Sequence, residues 1–284
     1  MSSAVTGGCV IRPAPALDAD ISPFCSIQGG GSPGGGGASV WRFRSAGLTD
    51  VGCVRLKNED AFSLRPDRGL YVVADGMGGH RGGEVASRMA VDGVEDFTQI
   101  LPSMTSEERL EALAGAFRLC CSQVFERGVS DLDLRHMGTT LLALHLDETA
   151  GRYSIAHVGD SRAYRIREKR MEQLTEDHSL RNEAKNMGAP EAQWSLVPKS
   201  IITRSIGTFE TVRVDTLSGE LQPEDVFLLC TDGLTDALRN DAILGVILAH
   251  QDLQEACREL IRRANEGGGP DNITAVLVRA MRPA

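Results

Sequence analysis

Aspartates recur in this chain where apolar, β-rich runs end. The clusters are Glu59-Asp60, Asp75-Gly76, Gly159-Asp160, Asp232-Gly233 and Asp271-Asn272. Each follows apolar residues or adjoins a tight glycine turn. Strands lying side by side bring their ends together, so these clusters restrict the fold to sheets that gather them at one edge. Carboxylates gathered in this way repel one another unless hard cations neutralise them. Oxygen donors with no matching His/Cys set point to Mg²⁺ or Mn²⁺ rather than zinc.

At 284 residues the chain is long enough for one large domain or two small ones. A formal net charge of −9 argues against a nucleic-acid partner, which calls for a basic face. No stretch approaches the ~20 consecutive apolar residues of a membrane span. The seven cysteines form no C-x-x-C pair. Cys53, Cys230 and Cys257 read as small apolar residues in strand or helix patterns, and the thiols as reduced and mostly buried. The N-terminus lacks the basic region and apolar run of a secretory signal. These features predict a cytoplasmic protein.

Residues 1–40 hold four of the eleven prolines and the glycine-rich run Gly29 to Gly37. Such a segment buries too little apolar surface to offset its ordering entropy, so it is expected to be a flexible tail. From Trp41 onward the pattern is dense. Strands are expected over Phe43 to Thr49, Ala61 to Leu64 and Leu70 to Ala74, the last two joined by the Pro66-Asp67-Arg68-Gly69 turn. A helix is expected over Gly83 to Leu101. A second follows Thr105/Ser106, where Glu108 supports a capping box, and Leu110, Leu113, Ala114, Phe117, Cys121 and Val124 repeat at helical spacing. Thr139 to Leu146, Tyr153 to Val158 and Ala163 to Ile166 read as strands. Asp177 to Ser200 is polar and breaks the pattern. Strands over Val212 to Leu217 and Val226 to Cys230, two helices and a final strand over Ile273 to Val278 complete the order. Hairpin-length turns favour antiparallel pairing, and regular βαβ alternation is absent. The expected fold is α+β, a four-layer αββα sandwich of two antiparallel sheets with helices on both outer faces.

Several segments carry candidate chemistry. Arg55, on the connection into Glu59 and Asp60, suits a guanidinium grip on a phosphate, although a routine ion pair on an exposed turn fits as well. Gly76, Gly78 and Gly79 permit a tight turn after Asp75 that brings a carbonyl to a cation. His80, a few residues beyond, is a candidate general acid. Gly138-Thr139-Thr140 reads as a strand start, and Val158-Gly159-Asp160-Ser161-Arg162 as a hairpin turn with Asp160 at its apex. Each D-G or D-N pair is weak alone, since turns use them constantly; their order and context are strong together.

The ordered motifs are R-x-x-x-E-D at Arg55 to Asp60, D-G-M-G-G-H at 75–80, G-T-T at 138–140 and V-G-D-S-R at 158–162. They continue with T-E-D-H-S-L at 175–180, T-R-S-I-G at 203–207, T-D-G-L at 231–234 and D-N-I-T at 271–274. With these the chain resembles the metal-dependent serine/threonine protein phosphatases of the type 2C family, in their bacterial form. The resemblance makes 41–284 the catalytic domain and implies a Mn²⁺ or Mg²⁺ centre of two ions, with a third-ion position. It implies that Asp75 bridges the ions, that the Gly76 carbonyl, Asp232 and Asp271 complete the first site, and that Glu59 and Asp60 support the second. Asp160 with Asp232 matches the third position. Arg55 is expected to hold substrate phosphate and His80 to protonate the leaving alkoxide. Leu180 to Ser200 matches the family's variable flap. The implied reaction is hydrolysis of phosphoserine and phosphothreonine in proteins by a metal-bridged hydroxide, reversing a bacterial Ser/Thr kinase. Expected partners are phosphorylated proteins, the kinase or its substrates, with no nucleic acid and no membrane, and a monomeric state. A catalytically silent phosphoprotein-binding scaffold and a metallo-nuclease are the rival readings. The full acid set disfavours the first, and the negative charge disfavours the second.

Overall fold

A computed structural model describes residues 40–78, 82–97 and 104–282. Along the chain run β1 (Arg42–Asp50), β2 (Asp60–Arg65), β3 (Leu70–Met77), α1 (Gly82–Phe97) and α2 (Ser106–Ser130). Then come β4 (Gly138–Thr139), β5 (Leu141–Asp147), β6 (Arg152–Val158), β7 (Arg162–Arg167), β8 (Arg170–Gln173), α3 (Leu180–Asn186) and α4 (Glu191–Trp194). The chain ends with β9 (Asp215–Glu220), β10 (Val226–Cys230), α5 (Asp232–Ala237), α6 (Asn240–Ala249), α7 (Leu253–Glu266) and β11 (Ile273–Met281).

The strands form two antiparallel sheets. One has the order β1-β11-β10-β7-β8; the other has β2-β3-β5-β6-β9, with β4 pairing onto the end of β3. The near-continuous apolar runs of β3 and β10 follow from burial on both faces. Tyr71 and Val73 of β3 meet Phe227 and Leu229 of β10 in the layer between the sheets. Their neighbours Leu70, Val72 and Ala74 face outward onto α1 and α2, and Leu228 and Cys230 face α5, α6 and α7. Three apolar layers separate four layers of secondary structure, the expected αββα sandwich.

Local signals place several boundaries. Thr105 caps α2 with a complete capping box to Glu108, and Leu113, Ala114, Phe117, Cys121 and Val124 are its buried stripe. Arg109 on the same helix is buried, and its Nη1 donates to Asp147 Oδ2 at 2.6 Å, fastening α2 to the end of β5.

The structure departs from the sequence expectations where long-range pairing decides. β3 does not stop at Ala74; it runs through Asp75 and Gly76 to Met77, because Gly76 and Met77 pair with Thr139 and Gly138. β9 begins at Asp215, not Val212. Val212 and Val214 pack against the α1–α2 layer from a loop, which gave that segment a strand-like look. β8 is a polar edge strand without apolar alternation. The stretch from Asp177 to Ser200 contains two short helices, and Asp232, after the β10 strand, opens α5. Cys53 is exposed in a loop, whereas Cys120, Cys121, Cys230 and Cys257 are buried free thiols. All of the predicted tail over 1–40 except Val40, and the predicted continuation of the first long helix over 98–101, lie outside the described residues.

Candidate metal centre

Strand pairing collects the aspartates. Antiparallel β2 and β3 set Asp60 opposite Asp75. Cys230 of β10 lies opposite Ala275 of β11, so the Asp232 that follows one strand sits beside the Asp271 that precedes the other. Asp160 occupies the turn between β6 and β7 and is buried. All five therefore share one end of the sandwich, with carboxylates drawn from both sheets.

Their mutual electrostatics report this proximity. Burial holds the Asp75 carboxyl well above the usual range, and the charges of Asp60, Asp232, Asp160 and Asp271 raise it further. Asp60 and Asp232 are raised for the same two reasons, burial first. Asp160 is pushed up to about 7 by burial and by the charge of Asp232. Glu59 stands at the margin, raised by burial against the opposing influence of Arg55.

Hydroxyls and one amide hold the acids in place. The Asp75 N–H donates to Thr140 Oγ1 at 2.8 Å, and Thr139 Oγ1 donates to the Asp75 carbonyl at 2.8 Å. Thr140 Oγ1 also lies 2.7 Å from Ser161 Oγ, linking β3 to the Asp160 turn. Asp60 Oδ2 accepts from Thr231 Oγ1 at 2.9 Å and from Thr274 Oγ1 at 2.6 Å, joining the two sheets. Asn272 accepts the Glu59 N–H at 2.8 Å and donates to the carbonyls of Val51 and Lys57. The residues that immobilise the acids were thus not recognised from the sequence. G-T-T reads there as a strand start, and the threonines of T-D-G and D-N-I-T carry no role. Their hydroxyls matter only through partners far away in the chain.

Gly76 is required by close approach rather than by a turn. A Cβ there would lie 2.2 Å from the Gly83 carbonyl and 2.5 Å from that of Glu59. The first turn of α1 thereby stacks directly on the acid-bearing strand, and its N-terminal dipole favours the negative charge beside it. Gly78, directly after β3, has φ at 138°, a conformation that favours glycine.

Arg55 is half exposed at the rim, and its Nη2 lies 2.7 Å from Asp271 Oδ2. It stands beside the acids, and its contact there is an ion pair. A cavity of about 180 Å³ opens beside the acids, lined by Asp160, Asp232, Arg162, Asp177, Arg181 and Trp194. Arg162 is locked across this wall by a two-pronged pair with Asp177, at 2.8 and 2.6 Å. His80 and Gly79 lie outside the described residues.

The donor set fits a hard divalent cation. Asp60 Oδ1 and Asp232 Oδ1 are buried and have no hydrogen-bond partner among the described residues. A buried carboxylate oxygen left unpaired costs roughly 1–3 kcal/mol or more, which a cation relieves.

Comparison with known proteins agrees with this geometry. The Protein phosphatase 2C family profile matches residues 54–278. A serine/threonine phosphatase (stp) from Listeria welshimeri is 37% identical over 236 residues, covering 81% of this chain and 93% of that protein. The Mycobacterium tuberculosis serine/threonine phosphatase PstP/Ppp superposes with a TM-score of 0.76 at 33% identity, over 84% of this chain and 98% of the other. A structure of the PstP catalytic domain in complex with two manganese ions gives 0.75 at 31% identity, over 85% and 99%. An acid cluster spanning two sheets, ordered motifs along more than two hundred residues and these relatives lead to one conclusion: the chain belongs to the Protein phosphatase 2C family of serine/threonine phosphatases.

Proposed function

We propose that this protein hydrolyses phosphoserine and phosphothreonine in other proteins with Mn²⁺ or Mg²⁺, reversing a bacterial Ser/Thr kinase, as a cytoplasmic monomer. The observation that carries this reading is the meeting of Asp60, Asp75, Asp160, Asp232 and Asp271 beside Arg55, with buried oxygens left unpaired.

In this reading Asp75, the Gly76 carbonyl, Asp232 and Asp271 hold the ions, with Glu59 and Asp60 in support and Asp160 completing a third position with Asp232. Asp60 contributes through Oδ1 alone, since Thr231 and Thr274 occupy Oδ2. The bound ions would supply an acidified water and neutralise charge on the transferring phosphoryl group. Arg55 grips the phosphate. Its fork stands beside Asp271 at the rim, where a substrate monoester enters, and it orients the phosphorus for in-line attack. The alkoxide of serine or threonine is a poor leaving group and needs a proton. His80 is assigned to donate it on the strength of the D-G-M-G-G-H motif. No cysteine nucleophile is needed, and burial pushes the thiols of Cys120, Cys230 and Cys257 up to about 12.

The test is hydrolysis of p-nitrophenyl phosphate and a phosphothreonine peptide with added Mn²⁺, with chelator and Asp75→Asn as controls. Metal-dependent turnover lost in Asp75→Asn is expected. No turnover by the metal-supplied wild type would favour the phosphoprotein-binding scaffold, and preference for a phosphodiester would favour a nuclease.

A further inference from the structure

Asp160 is carried by a turn that Thr140 holds on one side through Ser161. Gly159 before it sits at φ +106°, and a Cβ there would lie 2.6 Å from Thr140 Cγ2, so the position tolerates no side chain. The charge of Asp232 works against the Asp160 carboxylate. Something outside the turn must fix it.

His178 does so from two directions. Its backbone N–H donates to the Gly159 carbonyl at 3.0 Å, and the Gly159 N–H donates to its Nδ1 at 3.1 Å. Because Nδ1 accepts, the neutral ring carries its proton on Nε2. Nε2 faces Asp215 Oδ2 at 3.3 Å and Arg204 Nη1 at 3.1 Å, and Arg204 Nη1 donates to the other oxygen of the same carboxylate at 2.8 Å. The ring is buried and stacks on His157 of β6, with centroids 4.5 Å apart.

The main chain of His178 closes the base of the 180–200 segment. Its carbonyl accepts the Thr203 N–H at 2.8 Å, Ser179 bridges to Ile202, and Leu180 N–H donates to Ile201 at 2.9 Å. Ser179 is also the N-cap of α3.

The trio His157, His178 and Asp215 brings its ligand atoms within 4.8 Å of one another. It is not a metal site, for a physical reason. His178 has one ring nitrogen committed to Gly159 and the other protonated, and Arg204 already neutralises Asp215.

We infer that His178 is a positioning residue: its clamp on Gly159 sets the Asp160 carboxylate in the metal centre and ties that setting to the base of the adjacent flap. The inference rests on the proposed role of Asp160 and extends it to a residue that touches neither ion nor substrate.

Two substitutions separate the clamp from mere core packing. In His178→Asn the amide oxygen stands where Nδ1 stood and still accepts from Gly159. In His178→Gln the amide reaches toward Asp215 and leaves Gly159 unpaired. Hydrogen exchange in the metal-free protein reads the clamp without any catalysis. The Gly159 amide should exchange about tenfold faster in His178→Gln than in wild type or His178→Asn, the effect of one neutral hydrogen bond. Calorimetric Mn²⁺ titration should show the weakest ion bound about tenfold more loosely in His178→Gln and near normally in His178→Asn. With p-nitrophenyl phosphate, kcat should fall and KM hold, since Arg55 is untouched. The ¹⁵N shifts of wild-type His178 should report an unprotonated Nδ1.

A protonated Nδ1 in wild type overturns the inference, as does faster exchange in His178→Asn than in His178→Gln. Equal loss of Mn²⁺ affinity in both variants, following their thermal stability, makes His178 a packing residue only and overturns it too. Wild type that binds no Mn²⁺ removes the reading of Asp160 itself, whatever the exchange rates show.

Discussion

The backbone N–H of Asp75 donates to the side chain of Thr140 at 2.8 Å. Through that one hydroxyl the central acid of β3 is registered against the turn that carries Asp160, because Thr140 also meets Ser161. Thr140→Val keeps the shape and removes the acceptor. A buried N–H left unpaired costs about 1–3 kcal/mol, so the melting temperature should drop by at least about 2 °C. Mn²⁺ affinity should weaken, and Thr140→Ser should restore both. Calorimetric unfolding and Mn²⁺ titration check this. A neutral Thr140→Val would show that the hydroxyl is dispensable.

Metal removal should reverse the ordinary dependence of stability on pH. In the folded metal-free protein burial and the charge of Asp232 push Asp160 up to about 7, from an ordinary value of 3.8. Asp75, Asp60 and Asp232 are shifted in the same direction. Between these limits the four carboxyls hold more protons in the folded state than in the unfolded chain, so their contribution to stability falls as pH rises; buried His145 and His157, lowered to about 4, act in the opposite sense, and the more numerous and more strongly shifted carboxyls set the net direction. Chelator-treated protein should melt at a higher temperature near about pH 5.5 than near about pH 7.5, and millimolar Mn²⁺ should shrink or invert the gap. Melting curves at both pH values, with and without metal, decide it.

Arg55 sits 2.7 Å from Asp271 with half its side chain exposed, and in the proposed function it receives the incoming phosphate. Arg55→Ala should raise KM for phosphopeptides roughly tenfold or more, the value of a charge-assisted hydrogen bond of about 1.5–3 kcal/mol. Arg55→Lys should recover only part, since an ammonium cannot reproduce the fork. An unchanged KM in steady-state kinetics would remove Arg55 from phosphate binding.

His80→Ala should separate two substrates. On a phosphothreonine peptide the loss should approach about 10²–10⁴-fold, the usual worth of a positioned acid. On p-nitrophenyl phosphate, whose leaving group needs little protonation, the loss should be much smaller. Equal losses on both would exclude the acid role.

Arg109→Ala should damage the fold and spare the chemistry. It strands the buried Asp147, whose carboxyl is held down to about 2: burial opposes this, and the Ala150 N–H, Thr149 and Arg109 outweigh it. Removing one member of such a buried pair costs about 3–5 kcal/mol. The pair lies six residues along β5 from its start beside the centre, about 20 Å away. Denaturant unfolding should shift strongly while kcat and KM at a permissive temperature stay near wild type.

The chain's local chemistry was legible wherever it repeats at short range. Runs such as Leu70 to Ala74 and Val226 to Cys230 announce strands buried on both faces, the Thr105–Glu108 pair announces a helix start, and the aspartates at strand ends announce a cation site. What no local pattern conveys is the support of those aspartates. Thr140, Thr231, Thr274 and Asn272 act on partners up to some two hundred residues away, and a hydroxyl in a strand looks the same in sequence whether it holds an acid or faces solvent. The same holds for Arg109, an ordinary helix residue until Asp147 meets it, and for β3, whose last two residues extend the strand because Thr139 and Gly138 arrive to pair with them. Sequence alone determined which groups carry charge and which segments bury themselves. Tertiary structure decided which charges meet and what holds them, because hydrogen bonds and Coulomb interactions depend on distance in space, and only the packed sheets set that distance.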